Sequence, residues 1–188
     1  MNRREAINRV AWILGGAVIG ANLFLEGCTR EATGGVEQLF EPGQIDFLGD
    51  LADTILPPTS SPGAKEAGVG SFIPVMVRDC YTPEDQKVVL EGLQQFAKAT
   101  KDEFGKDFQQ LTLAERTAFL HQIDKEAKEH QSKRQGEEAN HWFHLIKQTT
   151  VLGYFTSELG ATKALRYVQI PGRYDGDFPY QKGDRAWA

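Results

Sequence analysis

The 188-residue chain has 40% hydrophobic and 25% charged residues, a balance that allows a packed core and argues against wholesale disorder. Its net charge of −5 argues against a dedicated nucleic-acid binder, because such a protein needs a basic face against the phosphates. The two cysteines, Cys28 and Cys80, stand in no CxxC or CxxCH motif. The sequence therefore offers no c-type haem attachment site and no cysteine site for zinc or an iron–sulfur cluster.

The first 28 residues have the pattern of an export signal. Arg3 and Arg4 begin a positive segment, and the apolar stretch VAWILGGAVIGANLFL follows at residues 10–25. A helix of that length spans about 24 Å, less than the hydrocarbon core of about 30 Å, so a signal segment is favoured over a permanent membrane span. The paired arginines resemble a twin-arginine signal, with Ala6 where Phe is usual. Export by that route carries proteins that are already folded.

The end of this segment, Leu25-Glu26-Gly27-Cys28, resembles a lipobox, in which the cysteine is lipidated and becomes the mature N-terminus. Glu26 stands where a small residue is usual, so two interpretations stay open. Either Cys28 is lipidated, or the segment is an uncleaved N-terminal helix with an incidental cysteine. Residues 29–40 are predicted to form a tether. The predicted location is the periplasm, or the membrane on its periplasmic side.

Residues 41–165 are predicted to form one helical domain. Apolar residues recur at helical spacing over 41–56, and Pro57-Pro58 stops that helix. Ser71 is predicted to cap a second helix, with Pro74 in its first turn.

The later helices carry start and stop signals. Thr82 is a predicted N-cap, and Gly105 ends the helix that it begins. Thr112 and Glu115, three residues apart, form a predicted capping box for the next helix. The last long helix is predicted over residues 137–156, from Glu137 to Thr156.

Residues 166–188 have no helical period and are rich in aromatic residues, Pro and Gly. A stretch of this length without regular structure is functional or disordered in most proteins, and the aromatic content argues against disorder. We predict an extended tail that packs on a partner; packing over the chain's own helices stays open as the alternative. The predicted partner-binding residues are Tyr167, Pro171, Arg173, Tyr174, Phe178 and Trp187.

The search for catalytic motifs finds no GxGxxG, P-loop, GxSxG or HExxH pattern. His141 and His144, with Glu138 one turn earlier on the predicted helix, are the best metal candidates. Carboxylate bundle sites need a Glu-x-x-His unit on each of two helices, and this chain has one. We therefore predict no catalytic, cofactor-binding or metal-binding residue in this chain.

Four stretches of the sequence resemble the gluconate 2-dehydrogenase subunit 3 family. They are LADTILP at 51–57, SPGAKEAGV at 61–69, FGKDF at 104–108 and TVLGYFTSELGAT at 150–162. The tail segment YVQIPGRY at 167–174 resembles the family's C-terminal pattern. Their order and spacing extend the resemblance over nearly all of the mature chain.

The resemblance implies the small subunit of a complex. Its large subunit is a flavin enzyme of the glucose–methanol–choline (GMC) type that holds FAD and oxidises a sugar or sugar acid. A cytochrome c with haem often carries the electrons to the membrane. The small subunit itself is non-catalytic, assists maturation and supplies the twin-arginine signal for export. The fold predicted from the residues is all-α with an extended aromatic-rich C-terminal tail.

Two other functions stay open on the sequence alone. One is a free-standing periplasmic or surface lipoprotein with a binding role. The other is a small metal-dependent enzyme that uses His141 and His144.

Overall fold

The computed structural model describes residues 39–136, 138–170 and 172–188. The predicted signal with Arg3, Arg4 and Cys28 lies outside these ranges, as does Pro171 of the tail. The described ranges are helical and contain no β-strand, apart from an isolated bridge between Arg166 and Trp187. The predicted all-α class is therefore confirmed. None of the described helices is both long and apolar enough to cross a membrane.

Five α-helices follow one another within the described ranges. They are α1 (Pro42–Ile55), α2 (Val69–Cys80), α3 (Pro83–Phe104), α4 (Leu113–Lys133) and α5 (Trp142–Thr156). A 3₁₀ turn at Phe108–Gln110 lies between α3 and α4, and a π-helical turn at Gly160–Ala164 follows α5.

The predicted caps of α3 and α4 are confirmed. The Thr82 hydroxyl accepts a hydrogen bond from the backbone N–H of Asp85, and Gly105 ends α3 in the left-handed region at φ 66°. The carboxylate of Glu115 accepts from both the N–H and the hydroxyl of Thr112, each at 2.7 Å. These hydrogen bonds hold the pKa of Glu115 below its ordinary value, because they favour the charged carboxylate.

The predicted start of α2 is wrong. The helix begins at Val69, and its N-cap is Gly68, which adopts φ 77°. A residue without Cβ takes that left-handed conformation at no steric cost. Ser71 therefore lies within the first turn, where its hydroxyl donates to the Gly68 carbonyl at 2.9 Å. Pro74 is inside the helix and buried, beyond the first turn in which it was expected.

The predicted start of the last helix is also wrong, because α5 begins at Trp142. His141 has an extended backbone and is the N-cap, with its Nδ1 accepting from the N–H of Phe143 at 3.2 Å. The Gln131 side chain of α4 bonds to the side chain of Asn140 and accepts from the N–H of His141, just before α5 begins. These side-chain hydrogen bonds satisfy polar groups that a longer helix would otherwise pair.

Helix α5 is central, since it contacts each of the other four α-helices. The indole ring of Trp142 in α5 lies against Gly92 of α3, where an added Cβ would collide with it. Gly153 makes the same kind of close approach to Phe72 of α2. The fully buried core includes Leu48 and Leu51 of α1, Ile73 and Val77 of α2, Val89 of α3, and Phe143 and Ile146 of α5.

Candidate partner-binding surfaces

The LADTILP and SPGAKEAGV stretches bind each other. The Asp53 carboxylate accepts from the backbone N–H of Lys65 at 3.1 Å, and the Lys65 ammonium lies 2.7 Å from Asp50. The hydrogen bond to Asp50 raises the pKa of Lys65. Gly63 passes so close to Asp53 that a side chain there would collide with the carboxylate. These charged groups hold the loop after α1 in place.

The TVLGYFTSELGAT stretch contributes to the same loop. Tyr154 of α5 is buried, and its hydroxyl donates to the carbonyl of Pro62 at 2.7 Å and lies within hydrogen-bond distance of the Ser61 hydroxyl, at 3.2 Å. The stretch therefore fastens α5 to the loop between α1 and α2. The Tyr154 hydroxyl therefore stabilises the fold.

The two histidines proposed as a metal pair lie in different places. His141 lines a cavity of about 510 Å³ between α3, α4 and the start of α5, whereas His144 lines a separate cavity. The His130 ring of α4 lies beside that of His141, at 5.7 Å between centroids. Burial, and then the charge of His130, lower the pKa of His141.

Glu138, the other member of the predicted Glu-x-x-His unit, lies in the loop before α5. The helical spacing that would have aligned it with His141 is therefore absent. Within the described ranges, no group of three or more His, Cys, Asp or Glu side chains is arranged to hold a metal ion.

The C-terminal tail closes on itself. The backbone N–H of Arg166 donates to the carbonyl of Ala186 at 2.7 Å, and the N–H of Ala188 donates back to the carbonyl of Arg166 at 3.3 Å. The Arg166 guanidinium stacks over the Trp187 ring at 4.7 Å and the Phe178 ring at 5.6 Å. Those two rings meet edge to face at 5.3 Å. The tail is thus a loop closed by a cation–π cluster.

A second arginine attaches this loop to the helical domain. Nη1 of Arg185 donates to the carbonyls of Thr162, Lys163 and Leu165, at 3.1, 2.9 and 3.3 Å respectively. These carbonyls belong to the end of the π-helical turn, where acceptors lack partners within the turn. Arg185 therefore caps the turn from a distance of twenty residues or more along the chain.

Most of the predicted tail residues point to solvent. Tyr174 is 96% exposed, and Tyr167 is 53% exposed. The side chain of Arg173 is 84% exposed. Phe178 and Trp187 are about half exposed, since each faces the other and Arg166. Pro171 lies outside the described residues.

Two exposed residues of the tail were missed by the sequence analysis. Ile170 is 80% exposed and Tyr180 is 77% exposed. Both lie in the segment already predicted to contact a partner, so the aromatic-rich composition of that segment was the sequence signal for their exposure. The described residues from 167 onward are all exposed, so the aromatic rings of the tail lie outside the helical core.

The outer face of α5 is a second apolar surface that the sequence analysis missed. Val151, Leu152 and Phe155 lie on this face and are 40%, 47% and 37% exposed. The opposite face of α5 is buried, and the outer side carries the polar residues His144 and Gln148 before it becomes apolar toward the C-terminal end of the helix. Exposed apolar side chains there are unusual, because the outer side of a surface helix is normally polar. The apolar residues at the end of the last helix were the sequence signal for this surface.

The described part of the chain is a small helical protein with exposed apolar side chains on its tail and on α5. A family model described as gluconate 2-dehydrogenase subunit 3 matches residues 42–172, and the chain belongs to that family. The family name implies association with a larger dehydrogenase complex. Neither the curated proteins nor the solved structures include a significant match. The matched range begins with α1 and ends in the tail, so Phe178, Tyr180 and Trp187 lie beyond it.

Proposed function

We propose that this chain is the non-catalytic small subunit of an FAD-dependent sugar or sugar-acid dehydrogenase. Its large subunit is a GMC-type flavin enzyme that performs the oxidation. The family match carries the proposal, and the exposed apolar side chains of the tail and of α5 support it. Clustered apolar surface exposed to water is typical of a site that another protein covers.

The cofactors of this complex belong to its other subunits. FAD is held by the large subunit, and haem c by a cytochrome c that passes electrons to the membrane. This chain assists maturation of the flavin subunit and carries it across the membrane through the signal that contains Arg3 and Arg4. The complex then acts on the periplasmic side, held there by the signal segment or by a lipid on Cys28.

The subunit role is tested by purifying the tagged full chain from cells that express its natural neighbours. We expect a larger flavoprotein in the eluate, with the absorption bands of flavin and dehydrogenase activity. The chain produced by itself should be colourless and inactive. Near-stoichiometric flavin in the chain alone would contradict the proposal. An eluate without a flavoprotein would favour a free-standing lipoprotein.

The export role is tested with the double variant Arg3→Lys/Arg4→Lys. The twin-arginine pathway requires the guanidinium groups, so dehydrogenase activity should remain in the cytoplasm. Unchanged export would show that the pair is a generic positive segment. Mass spectrometry of the mature N-terminus decides the anchor, because a lipid on Cys28 should be present in the parent chain and absent in Cys28→Ser.

A further inference from the structure

We infer that the groove between α4 and α5 binds an apolar segment of the larger dehydrogenase subunit that ends in a carboxylate. The inference rests on the proposed function, because it assumes that such a subunit is the partner. It adds a binding surface that is distinct from the C-terminal tail.

The groove has a volume of about 570 Å³ and lies along one face of each helix. Helix α4 contributes Asp124, Ala127 and Lys128. Helix α5 contributes side chains at helical spacing between His144 and Leu152. A groove formed by two helices in this way accommodates a single extended or helical segment of a partner.

One end of the groove is apolar. Val151 and Leu152 line it, and Phe155 continues the same face one turn further along α5. Ala127 is 2% exposed and too small to fill the space between the helices. Large apolar side chains beside an open groove are the arrangement that receives an anchoring apolar residue of a partner.

The other end of the groove is positively charged. The ammonium groups of Lys128 and Lys147 lie 2.7 and 2.5 Å from the two oxygens of Asp124. Burial would raise the pKa of Asp124, but the two lysines outweigh it and hold that pKa below its usual value. Asp124 is thus ionised, and two ammonium groups share one carboxylate. Lys128 is the more exposed of the two lysines, with its side chain 72% exposed against 40% for Lys147, so it can present positive charge to a partner.

This charge distribution defines the partner segment. Its apolar side chains would cover Val151, Leu152 and Phe155, and a carboxylate would approach Lys128. A segment with a positive charge near Lys128 would be repelled, and a segment with a charged residue over Val151 and Leu152 would have to desolvate that charge. Both arrangements would make binding less favourable.

The family match supports a dehydrogenase subunit as the occupant. The whole groove lies within the matched range of residues 42–172, whereas the tail extends beyond it. Val151, Leu152 and Phe155 form a group on one helix face within that range. Leu113, at 62% exposure, is a single apolar side chain at the start of α4. The α5 group therefore offers a larger continuous surface than Leu113, and the other exposed apolar residues near the end of the matched range, Tyr167, Val168 and Ile170, belong to the tail.

The test compares four variants of the tagged full chain by the amount of flavoprotein that co-purifies with each. Leu152→Glu places a charge on the apolar end, and Leu113→Glu makes the same change at a more exposed leucine outside the groove. Lys128→Glu reverses the charge at the other end, with the exposed Lys98→Glu on α3 as its control. Circular dichroism and thermal melting confirm that each variant is folded.

We expect Leu152→Glu to reduce the co-purified flavoprotein about tenfold or more, as for loss of an interface anchor. Lys128→Glu should reduce it about threefold, in a manner that weakens at high salt. Both controls should stay within about twofold of the parent chain, since they lie outside the anchoring contact.

Three outcomes would overturn the inference. Equal yields for Leu152→Glu and the parent chain would remove the groove from the interface and leave the proposed function intact. If Leu152→Glu leaves the flavoprotein yield unchanged and size-exclusion chromatography shows that it converts a dimeric parent chain into a monomer, the groove is a contact between copies of this chain. If the parent chain itself captures no flavoprotein, the proposed function fails and this inference fails with it.

Discussion

The helical domain and the C-terminal tail use aromatic side chains in opposite ways. In the domain, Phe96 is 2% exposed and has four rings around it, with centroids 5.1 to 5.8 Å away. In the tail, Phe178 and Trp187 contact each other and Arg166 and stay about half exposed, while Tyr174 is almost fully exposed. Aromatic content alone therefore does not distinguish a core from an interaction surface. What distinguishes the two is whether a ring lies on the buried face of a helix or in a segment without helical spacing.

Phe96→Ala should produce the largest loss of stability, because it removes the ring at the centre of the aromatic cluster. The free energy of unfolding should fall by about 3–5 kcal/mol, the usual cost of truncating a buried phenylalanine. Tyr174→Ala is the matched control in the tail and should leave stability unchanged, since its ring is 96% exposed. Urea unfolding followed by circular dichroism measures both variants. Similar losses in the two would mean that the tail belongs to the same packed unit.

Deletion of the residues after Leu165 should separate the two regions. The helical domain should stay folded, because the described residues of the tail are exposed and none belongs to the buried core. Any decrease in stability should come chiefly from removing the hydrogen bonds that Arg185 donates to the π-helical turn. Binding of the large subunit, measured by co-purification, should weaken by about 2 kcal/mol or more for each anchoring residue removed.

Two results of this deletion would contradict the comparison. Undiminished co-purification with the flavoprotein would assign the interface to the helices alone. Unfolding of the shortened chain would show that the tail stabilises the domain. In that case the alternative of packing over the chain's own helices would be correct.

The smallest expected effect is a pH dependence of the free energy of unfolding, which arises from His141 in the helical domain and not from the tail. The folded chain holds the pKa of His141 below its ordinary value of about 6.5, so the unfolded chain binds more protons in the window just below that pH. Stability should therefore fall as the pH drops from about 6.5 through the lowered pKa, and then level off. Urea midpoints between pH 7.5 and pH 5 measure this slope.

The matched variant is His141→Asn, which keeps a side-chain oxygen at the N-cap of α5 and removes the titrating ring. It should lose part of the pH slope, whereas His121→Gln, an exposed residue of α4, should keep it. An unchanged slope in His141→Asn would assign the pH dependence to another group.

Local sequence signals predicted most of the helical domain. The caps at Thr82 and Thr112 and the stop at Gly105 are set by residues within one turn of each other, and all three are confirmed. The starts of α2 and α5 were missed because competing local bonds decide them. Gly68 offers a left-handed turn before Ser71, and Gln131 reaches across to His141 from the preceding helix.

The candidate surfaces were predicted less completely. The composition of the tail indicated exposed aromatic residues, but its closure depends on Arg166 and Arg185, whose partners are about twenty residues away in sequence. The groove between α4 and α5 depends on how two helices pack, and a helical period shows only which residues share a face. The C-terminal part of the outer face of α5 was recognisable in principle, since Val151, Leu152 and Phe155 are apolar where a surface helix is normally polar.

The paired ends of the tail have a practical consequence for isolating it from the rest of the molecule. The bridge between Arg166 and Trp187 is parallel, so a synthetic peptide of residues 166–188 needs a flexible linker between its C-terminus and its N-terminus to form a ring that keeps this pairing. Such a macrocycle would retain the Arg166, Phe178 and Trp187 cluster and would lose less conformational entropy on binding than a linear peptide. It is therefore the natural starting point for a competitor that blocks assembly of the complex.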